Sequence, residues 1–363
     1  MSEWKEYKLG EIISLHRGYD LPSSQRKKGT IPIVSSSGIS DYHDSYKMLP
    51  PGVVTGRYGT IGEVFFLNEP YWPLNTTLYI DDFKGNDPLF IYYFLKSFDF
   101  EKFNDKSTIP GINRNHLYRE VVKIPSLDEQ KRIASILSSL DDKIDLLNRE
   151  NATLEAMTET LFRQWFIEEA KEDWEEVALG DVVKTTSGGT PSRKHPDYYN
   201  NGTIYWVKSK ELQSSFIFST EEMITEDAMN NSSAKLLPEK TVLIAMYGAT
   251  VGEYGILSKP MTCNQAVCAL IPNKNYPYTY LYLWTAFMKQ EFINLATGAA
   301  QQNISQDLIK QQMVSGDIER IKKYHKHVCA FFDKMECNQK QIMILSKQRD
   351  ILLPKLMSNY NII

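Results

Sequence analysis

In this 363-residue sequence, the side chains best suited to binding a ligand are hydrogen-bond donors in loop-like stretches. In the first half they are Arg17, Tyr19, Arg26, Lys27, Lys28, Ser36, Arg57, Asn75, Thr76, Asn113 and Arg114. In the second half they are Thr190, Ser192, Arg193, Lys194, Lys208, Lys210, Asn264, Gln265, Gln301, Gln302 and Asn303. Cations and hydroxyls suit phosphates, whereas guanidinium and amide groups pair with base edges. The pattern therefore predicts DNA contacts.

Each of these stretches also has a structural interpretation that the sequence leaves open. The basic loop that ends at Lys28 could be a solvated surface loop, and the polar clusters at Asn75 and Asn264 could cap turns. Arg57 is the best candidate base reader, because a guanidinium can grip guanine with two hydrogen bonds. The segment SGGTPS at 187–192 lacks the spacing of a nucleotide-binding glycine loop, so it is predicted to contact phosphate through donors.

Residue types that support catalysis or metal binding are poorly arranged in this sequence. His325, His327, Cys329 and Cys337 fall on a predicted helix, where a spacing of two places side chains on different sides. No zinc site is predicted from them. The sequence also contains no methyltransferase Asn-Pro-Pro-aromatic motif, Walker loop or acidic nuclease cluster. We therefore expect a protein that is not itself an enzyme.

Composition limits the classes of protein to be considered. The 41 Lys and Arg residues against 45 Asp and Glu residues exclude a polybasic DNA binder, so any DNA contact must come from local patches. The first ten residues are charged where a signal peptide would be apolar, and no apolar run approaches the roughly 20 residues that span a bilayer. A cytoplasmic protein with reduced thiols and no membrane contact is expected.

An internal repeat organises the chain. The string WKEYKLGEII at 4–13 returns as WEEVALGDVV at 174–183, and RYGTIGEV at 57–64 returns within MYGATVGEY at 246–254. The second copy is longer by about 20 residues, inserted mainly between Glu211 and Thr241. Short apolar runs bounded by Gly, Pro and Asn predict strands, and the apolar segments 89–98 and 280–293 predict buried helices. Each copy is therefore a mixed α and β domain.

A long helix with a heptad-like apolar seam follows each domain. The first seam is Ile133, Leu137, Leu140, Ile144, Leu147, Asn151, Leu154, Thr158, Leu161 and Trp165. The second is Tyr324, Val328, Phe331, Met335, Asn338, Ile342, Leu345, Arg349, Leu352 and Leu356. Such seams predict an antiparallel coiled-coil pair about 50 Å long, in which Asn151 and Asn338 could set the register. The alternative is that each helix packs only on its own domain.

These observations predict an α+β protein with two mixed α/β domains, separated by two long antiparallel coiled-coil helices. The predicted boundaries are 1–127 for the first domain, 128–171 for the first spacer helix, 172–318 for the second domain and 319–363 for the second spacer helix. Because the copies differ in sequence, the two domains should read different half-sites of one asymmetric target.

The motifs together resemble the specificity subunit of Type I restriction-modification systems. They are LGEII with LGDVV, SGGTPS, RYGTIG with YGATVG, IPSLDEQKRIASIL at 124–137, and RDILLPKLMS at 349–358. In one place the sequence departs from the family pattern, because VSGDIERIKKY stands where the second copy should repeat IPSLDEQKRI. That departure concerns how the second domain joins its helix.

The resemblance implies the partners and cofactors. A subunit of this kind binds double-stranded DNA through two target-recognition domains, docks two methyltransferase subunits on its helices, and joins restriction-translocase subunits in the full complex. S-adenosylmethionine, ATP and magnesium would belong to those partners, and this chain would hold no cofactor. The alternative from another class is a non-catalytic coiled-coil adaptor whose globular ends bind protein or carbohydrate.

Overall fold

The computed structural model describes residues 4–103, 111–170, 174–297 and 303–357. The chain divides into two compact units, one made of residues 1–144 and 344–363 and the other of residues 145–343. Each unit therefore contains one globular part and a portion of both long helices. Within the described ranges, no helix is long and apolar enough to cross a bilayer.

The first unit is built on three small sheets. Its strands are β1 (Lys5–Lys8), β2 (Ser14–Arg17), β3 (Ile31–Ser35), β4 (Gly38–His43), β5 (Gly52–Gly56), β6 (Val64–Leu67), β7 (Trp72–Pro73), β8 (Thr77–Asp82) and β9 (Val121–Ile124). Its short helices are α1 (Leu9–Ile12), α2 (Pro88–Lys96) and α3 (Arg114–Leu117), and α4 (Leu127–Arg163) begins here. The sheets have the orders β2-β8-β5-β6, β4-β3-β7 and β1-β9.

The second unit repeats this plan with additions. Its strands are β10 (Glu176–Ala178), β11 (Lys184–Ser187), β12 (Ile204–Val207), β13 (Ser215–Ile217), β14 (Met223–Ile224), β15 (Val242–Ala245), β16 (Tyr254–Leu257), β17 (Thr262–Cys263), β18 (Val267–Ile271) and β19 (Met313–Ser315). Its helices are α5 (Leu179–Val182), α6 (Glu226–Asn230), α7 (Tyr278–Thr297), α8 (Gln306–Lys310) and α9 (Ile318–Met357).

The sheet orders confirm the repeat. In the second unit they are β11-β18-β15-β16-β13, β14-β12-β17 and β10-β19, so the first four strands of the large sheet correspond to β2-β8-β5-β6. The strand β13 and the helix α6 both fall in the segment that the sequence comparison identified as an insertion. The insertion therefore adds a fifth strand to the large sheet.

The two predicted buried helices are confirmed, and each packs in the core of its own unit. In the first unit Phe90, Ile91 and Leu95 of α2 lie in one apolar cluster with strands β5 and β8. The side chain of Asp87 starts this helix, accepting a hydrogen bond from the backbone of Phe90 at 2.8 Å. In the second unit α7 takes the equivalent place, and its Leu281, Leu283 and Phe292 lie in the core.

The long helices pair antiparallel within each unit. In the second unit the Tyr324 hydroxyl donates to the carbonyl of Thr158 at 3.0 Å, and Asn338 contacts Asn151. Residue numbers therefore rise along α9 as they fall along the facing side of α4. In the first unit the Arg349 guanidinium lies 2.9 Å from Asp141. All predicted seam positions are buried or half-buried, which confirms the coiled-coil pattern. The same helices also pack on the globular cores, and Leu356 of α9 lies in the core of the first unit. The alternative, in which each helix packs only on its own domain, is therefore wrong.

A buried polar layer interrupts the seam in the second unit. The Asn338 side chain is fully buried, and its Nδ2 donates to Asn151 Oδ1 and to Glu150 Oε2, each at 2.9 Å. Lys334 lies 3.4 Å from the same Glu150 carboxylate. Because a shift of the helices would leave these polar groups buried without partners, the layer favours one register.

Replacing Asn338 by Ala should weaken the helix pair. The change removes the donor for Asn151 and Glu150, and we expect it to lower the free energy of unfolding by about 1–3 kcal/mol. Chemical denaturation of the full chain measures the effect, with Gln341→Ala as a control at an exposed position of the same helix. An Asn338→Ala variant as stable as this control would show that the amide layer does not hold the helices.

Candidate nucleic-acid interface

In the first unit, hydrogen bonds join the loop after β2 to the segment after β7. The backbone N–H of Tyr19 donates to the Pro73 carbonyl at 2.8 Å, and that of Asn75 donates to the Tyr19 carbonyl at 3.0 Å. This approach requires glycine at position 18, since an added Cβ would lie 2.1 Å from the Leu74 carbonyl oxygen. Two stretches more than fifty residues apart are thereby held side by side.

The same ladder continues to two further stretches of the first unit. The backbone N–H of Arg57 donates to the Thr76 carbonyl at 2.9 Å, and that of Ile112 donates to the Arg57 carbonyl at 3.0 Å. We call the resulting row of residues 17–20, 57–58, 74–76 and 111–113 the first polar edge. The structure therefore brings together Arg17, Tyr19, Arg57, Asn75, Thr76 and Asn113 from the predicted set.

The second unit contains the equivalent row. Gly189 donates to the Cys263 carbonyl at 2.9 Å, and Met246 N donates to the Ala266 carbonyl at 2.8 Å. Ile304 donates in turn to the Met246 carbonyl at 2.9 Å. We call residues 187–190, 246–247, 264–266 and 303–304 the second polar edge. It includes Thr190, Asn264, Gln265 and Asn303 from the predicted set.

Glycine at position 188 is explained by backbone packing. A Cβ there would lie 2.0 Å from the Cys263 carbonyl oxygen, just as a Cβ on Gly18 would meet Leu74. The two glycines thus occupy equivalent positions in the repeat and permit the same close approach of two loops. The SGGTPS motif therefore serves the fold at this point.

Equivalent positions of the two edges carry different side chains. The Arg57 guanidinium lies over the Tyr58 ring, 4.5 Å from its centroid, and is half-buried, whereas its counterpart Met246 is buried. Tyr58 and its counterpart Tyr247 are both exposed, at 36% and 41%. Both edges thus have a tyrosine at this point, whereas the arginine of the first edge is replaced by a methionine in the second.

Two amides also occupy equivalent positions, and each has a fixed neighbour. Asn75 Nδ2 donates to the carboxylate of Asp20, while Gln265 Oε1 accepts from the Thr190 hydroxyl. The Asn264 side chain instead accepts from the backbone of Ala266 at 3.2 Å, which is the turn-capping role. The sequence gives no sign of Asp20 as a site residue, because a carboxylate repels phosphate and offers no donor to a base.

The basic loop of the first unit is bound to β4. The Arg26 guanidinium lies 3.1 Å from Asp41, and Lys27 lies 3.9 Å from Asp44, while Lys28 is exposed. A hydrogen bond from the Tyr42 backbone and the Arg26 guanidinium lower the pKa of Asp41. Two of the three predicted phosphate contacts therefore already have carboxylate partners. Ser36 lies instead by the turn after Arg57, its Oγ 3.4 Å from where a Cβ on Gly59 would stand.

In the second unit the predicted cations form an ion-pair network with the inserted segment. The Arg193 guanidinium makes two bonds to the Glu222 carboxylate, at 2.9 and 2.6 Å, and stacks on Tyr199 at 4.0 Å. Lys208 contacts Glu221 at 3.1 Å and Glu222 at 3.0 Å, and Lys210 contacts Glu221 at 2.7 Å. Hydrogen bonding to Arg193 contributes most to lowering the pKa of Glu222 to about 2.

Other predicted residues have local structural contacts. The Asn113 side chain caps α3 by accepting from the backbone of Asn115 at 3.0 Å, and Arg114 donates to the Leu15 carbonyl at 3.0 Å. Ser192 Oγ accepts from the backbone of Lys194 at 3.3 Å, and the Lys194 side chain is exposed. Gln301 and Gln302 lie outside the described residues.

The histidines and cysteines of α9 do not converge. His325 Nδ1 lies 2.9 Å from the Thr279 hydroxyl, and burial lowers its pKa. The His327 ring instead packs on Trp165 with ring centroids 5.2 Å apart. Among the described residues, no group of three or more His, Cys, Asp or Glu side chains could hold a metal ion.

The fold is a tandem of two related α+β domains, and the same fold occurs in the S subunit of the Type I restriction-modification system from M. genitalium. That crystal structure superposes with a TM-score of 0.72 at 17% identity, over 99% of this chain and 97% of the other. The chain belongs to the family of the Type I restriction modification DNA specificity domain, whose model matches residues 1–156 and 171–315. The resemblance found in the sequence is thus confirmed.

Named relatives are similar over nearly the whole chain. The Type I restriction enzyme MjaIX specificity subunit of Methanocaldococcus jannaschii is 25% identical, over 98% of this chain and 92% of the relative. The HindI specificity subunit of Haemophilus influenzae is 23% identical, over 99% of both chains. Both copies of the repeat are therefore shared with these proteins.

The Glu222 network should make the second unit sensitive to acid. Because the folded chain holds this carboxyl at a pKa of about 2, its stabilising effect is complete above the ordinary value of 4.5 and is lost as the pH falls from there toward 2. Denaturant unfolding from pH 6 to 3 should therefore show the stability difference between the wild-type chain and Glu222→Gln shrinking as the pH falls. Glu226→Gln, at an exposed position on α6, is the control. A difference independent of pH would contradict the assignment.

Proposed function

We propose that this chain is the DNA sequence-specificity subunit of a Type I restriction-modification complex and that it reads a bipartite, asymmetric target in double-stranded DNA. The observation that carries the proposal is the duplicated polar edge, which has the same backbone ladder in both units and different side chains at equivalent positions. Two similar readers with different side chains suit two different half-sites. The family match over both copies supports the same conclusion.

The candidate side chains on and beside each edge divide into positioning and reading roles. Exposed lysines such as Lys28 and Lys194 are suited to phosphates, which fix the position of the duplex without reading sequence. Arg57 is suited to guanine, because its guanidinium is held in place over Tyr58 with its donors at the edge. The residues Arg193, Lys208 and Lys210 order their loop through Glu221 and Glu222, since those carboxylates already occupy them.

The chemistry of the complex is assigned to partner subunits. We propose that two methyltransferase subunits dock on the long helices, that restriction-translocase subunits join the full complex, and that S-adenosylmethionine, ATP and magnesium are bound by these partners. The curated relatives are named as specificity subunits of restriction enzymes, which supports this division of labour. This chain then contributes recognition and assembly, and no catalytic step.

One flank of α4 is suited to the docking of a methyltransferase subunit. Leu146 and Met157 are 49% and 45% exposed, and their spacing of eleven residues places them on one side of the helix, beside the seam. These two side chains offer a partner subunit apolar surface to bury on docking. Asn148 is exposed on the other flank of this helix.

Replacing Arg57 by Ala should relax one half-site. We expect the variant to lose about 1–3 kcal/mol of discrimination at one base pair and to leave the other half-site intact, because a bidentate guanidinium pair is removed. Co-expression with the methyltransferase partner and genome-wide mapping of methylated adenines measures both half-sites. Arg119→Ala is the control, since Arg119 is exposed outside the edge. Equal loss of methylation at all sequences would make Arg57 a phosphate contact.

Replacing both Leu146 and Met157 by Lys should weaken assembly without unfolding the chain. Docking would either bury the two lysine charges in an apolar interface, which is unfavourable, or be prevented by them. We therefore expect at least a tenfold loss of affinity for the methyltransferase subunit, which corresponds to about 1.4 kcal/mol or more. Quantitative co-purification measures it, with Asn148→Lys as a control for a lysine added on the other flank and the thermal transition as the test of folding. Equal binding by both variants would place the docking surface elsewhere.

A further inference from the structure

The two equivalent amides, those of Asn75 and Gln265, have neighbours with different hydrogen-bonding groups. Asp20 carries a carboxylate, which when ionised can only accept hydrogen bonds, and Asn75 Nδ2 donates to it. Arg17 lies 3.5 Å from the same carboxylate and compensates its charge. The orientation of the Asn75 amide is therefore determined by its neighbour: its oxygen and its second N–H are left for another partner.

In the structure, the corresponding amide of the second edge has the opposite orientation, with its oxygen toward the neighbouring hydroxyl. Thr190 takes the place of Asp20 on the ladder, and its hydroxyl donates to Gln265 Oε1. The amide oxygen is thus engaged, and the two N–H groups of Nε2 are left for another partner. The Gln265 side chain is exposed, whereas that of Asn75 is half-buried.

The backbone supports the equivalence of the two positions. Residue 19 donates to the carbonyl of residue 73, as residue 189 donates to that of residue 263. Residues 20 and 190 follow directly in the two loops, and residues 75 and 265 stand two places beyond the accepting carbonyls. The two amides are therefore presented from the same point of each domain, with their donors and acceptors reversed.

We infer that Asp20 and Thr190 are specificity-determining residues that orient the amides of Asn75 and Gln265 toward different bases. An amide that offers one oxygen and one N–H matches the major-groove edge of adenine, which presents a donor at N6 and an acceptor at N7. An amide that offers only N–H groups matches an acceptor edge such as N7 and O6 of guanine. Asp20 thus selects adenine in the first half-site through Asn75, and Thr190 selects guanine in the second through Gln265.

This inference rests on the proposed function and extends it to residues that do not themselves donate to a base. Asp20 and Thr190 act by positioning, so their loss should change which base is preferred more than how tightly DNA is held. A residue that only stabilised its loop would lower methylation of all sites together.

The test is methylation mapping with the methyltransferase subunit co-expressed, on the wild-type chain and on Asp20→Ala, Asn75→Ala and Thr190→Val. We expect Asp20→Ala and Asn75→Ala to lose the preference for adenine at the same position of one half-site by roughly tenfold, while the other half-site is unchanged. The double variant should lose no more than either single one, because the two residues act as a unit. Thr190→Val should relax a guanine in the other half-site.

The outcomes separate the inference from the proposed function. A two-part wild-type motif that Asp20→Ala leaves unchanged, with methylation retained or lowered uniformly, overturns the inference and leaves the proposed function standing. Absence of a two-part wild-type motif overturns both. If Asp20→Ala does not fold, Asp20→Asn replaces it: an amide at position 20 can donate or accept, so the adenine preference should fall, and an unchanged motif overturns the inference.

Discussion

The polar edge of each unit depends on one close approach between two loops. At Gly18 and at Gly188 the backbone passes so near a carbonyl that any side chain would collide with it. The hydrogen bonds that follow join four stretches of chain that are distant in sequence. Without this approach, Tyr19 and Asp20 would lie apart from Asn75, and the contact between Asp20 and Asn75 could not form. The glycines thus contribute to the edge indirectly, by permitting the ladder.

The long helices combine two kinds of packing that are often treated as alternatives. Their seam residues meet across the helix pair, and several of the same residues complete the core of a globular part, as Tyr324 and Phe162 do in the second unit. The paired helices are consequently part of each fold. The buried Asn338 adds a directional contact to a mostly apolar seam, which apolar side chains alone cannot supply.

Charge compensation separates the cations that hold the structure from those available to DNA. The overall charge of −4 leaves little excess of cations, and many of those suspected of phosphate contact have a carboxylate beside them. In the second unit these carboxylates come from the inserted segment, so the insertion orders a loop that in the first unit is held by β4. Equivalent loops are therefore stabilised by acidic residues from different parts of the chain.

The amino-acid sequence alone determined the repeat, the α+β class, the two helical seams and the family. These features depend on periodicity and on spacing along the chain, which can be read directly from the amino-acid sequence. It also offered Arg57, Asn75 and Gln265 as candidate base readers, because guanidinium and amide groups are recognisable by type. Tertiary structure decided which of them share an edge, since that depends on contacts between distant loops. It also revealed Asp20, Glu221 and Glu222, whose carboxylates matter only through the donors that folding brings beside them.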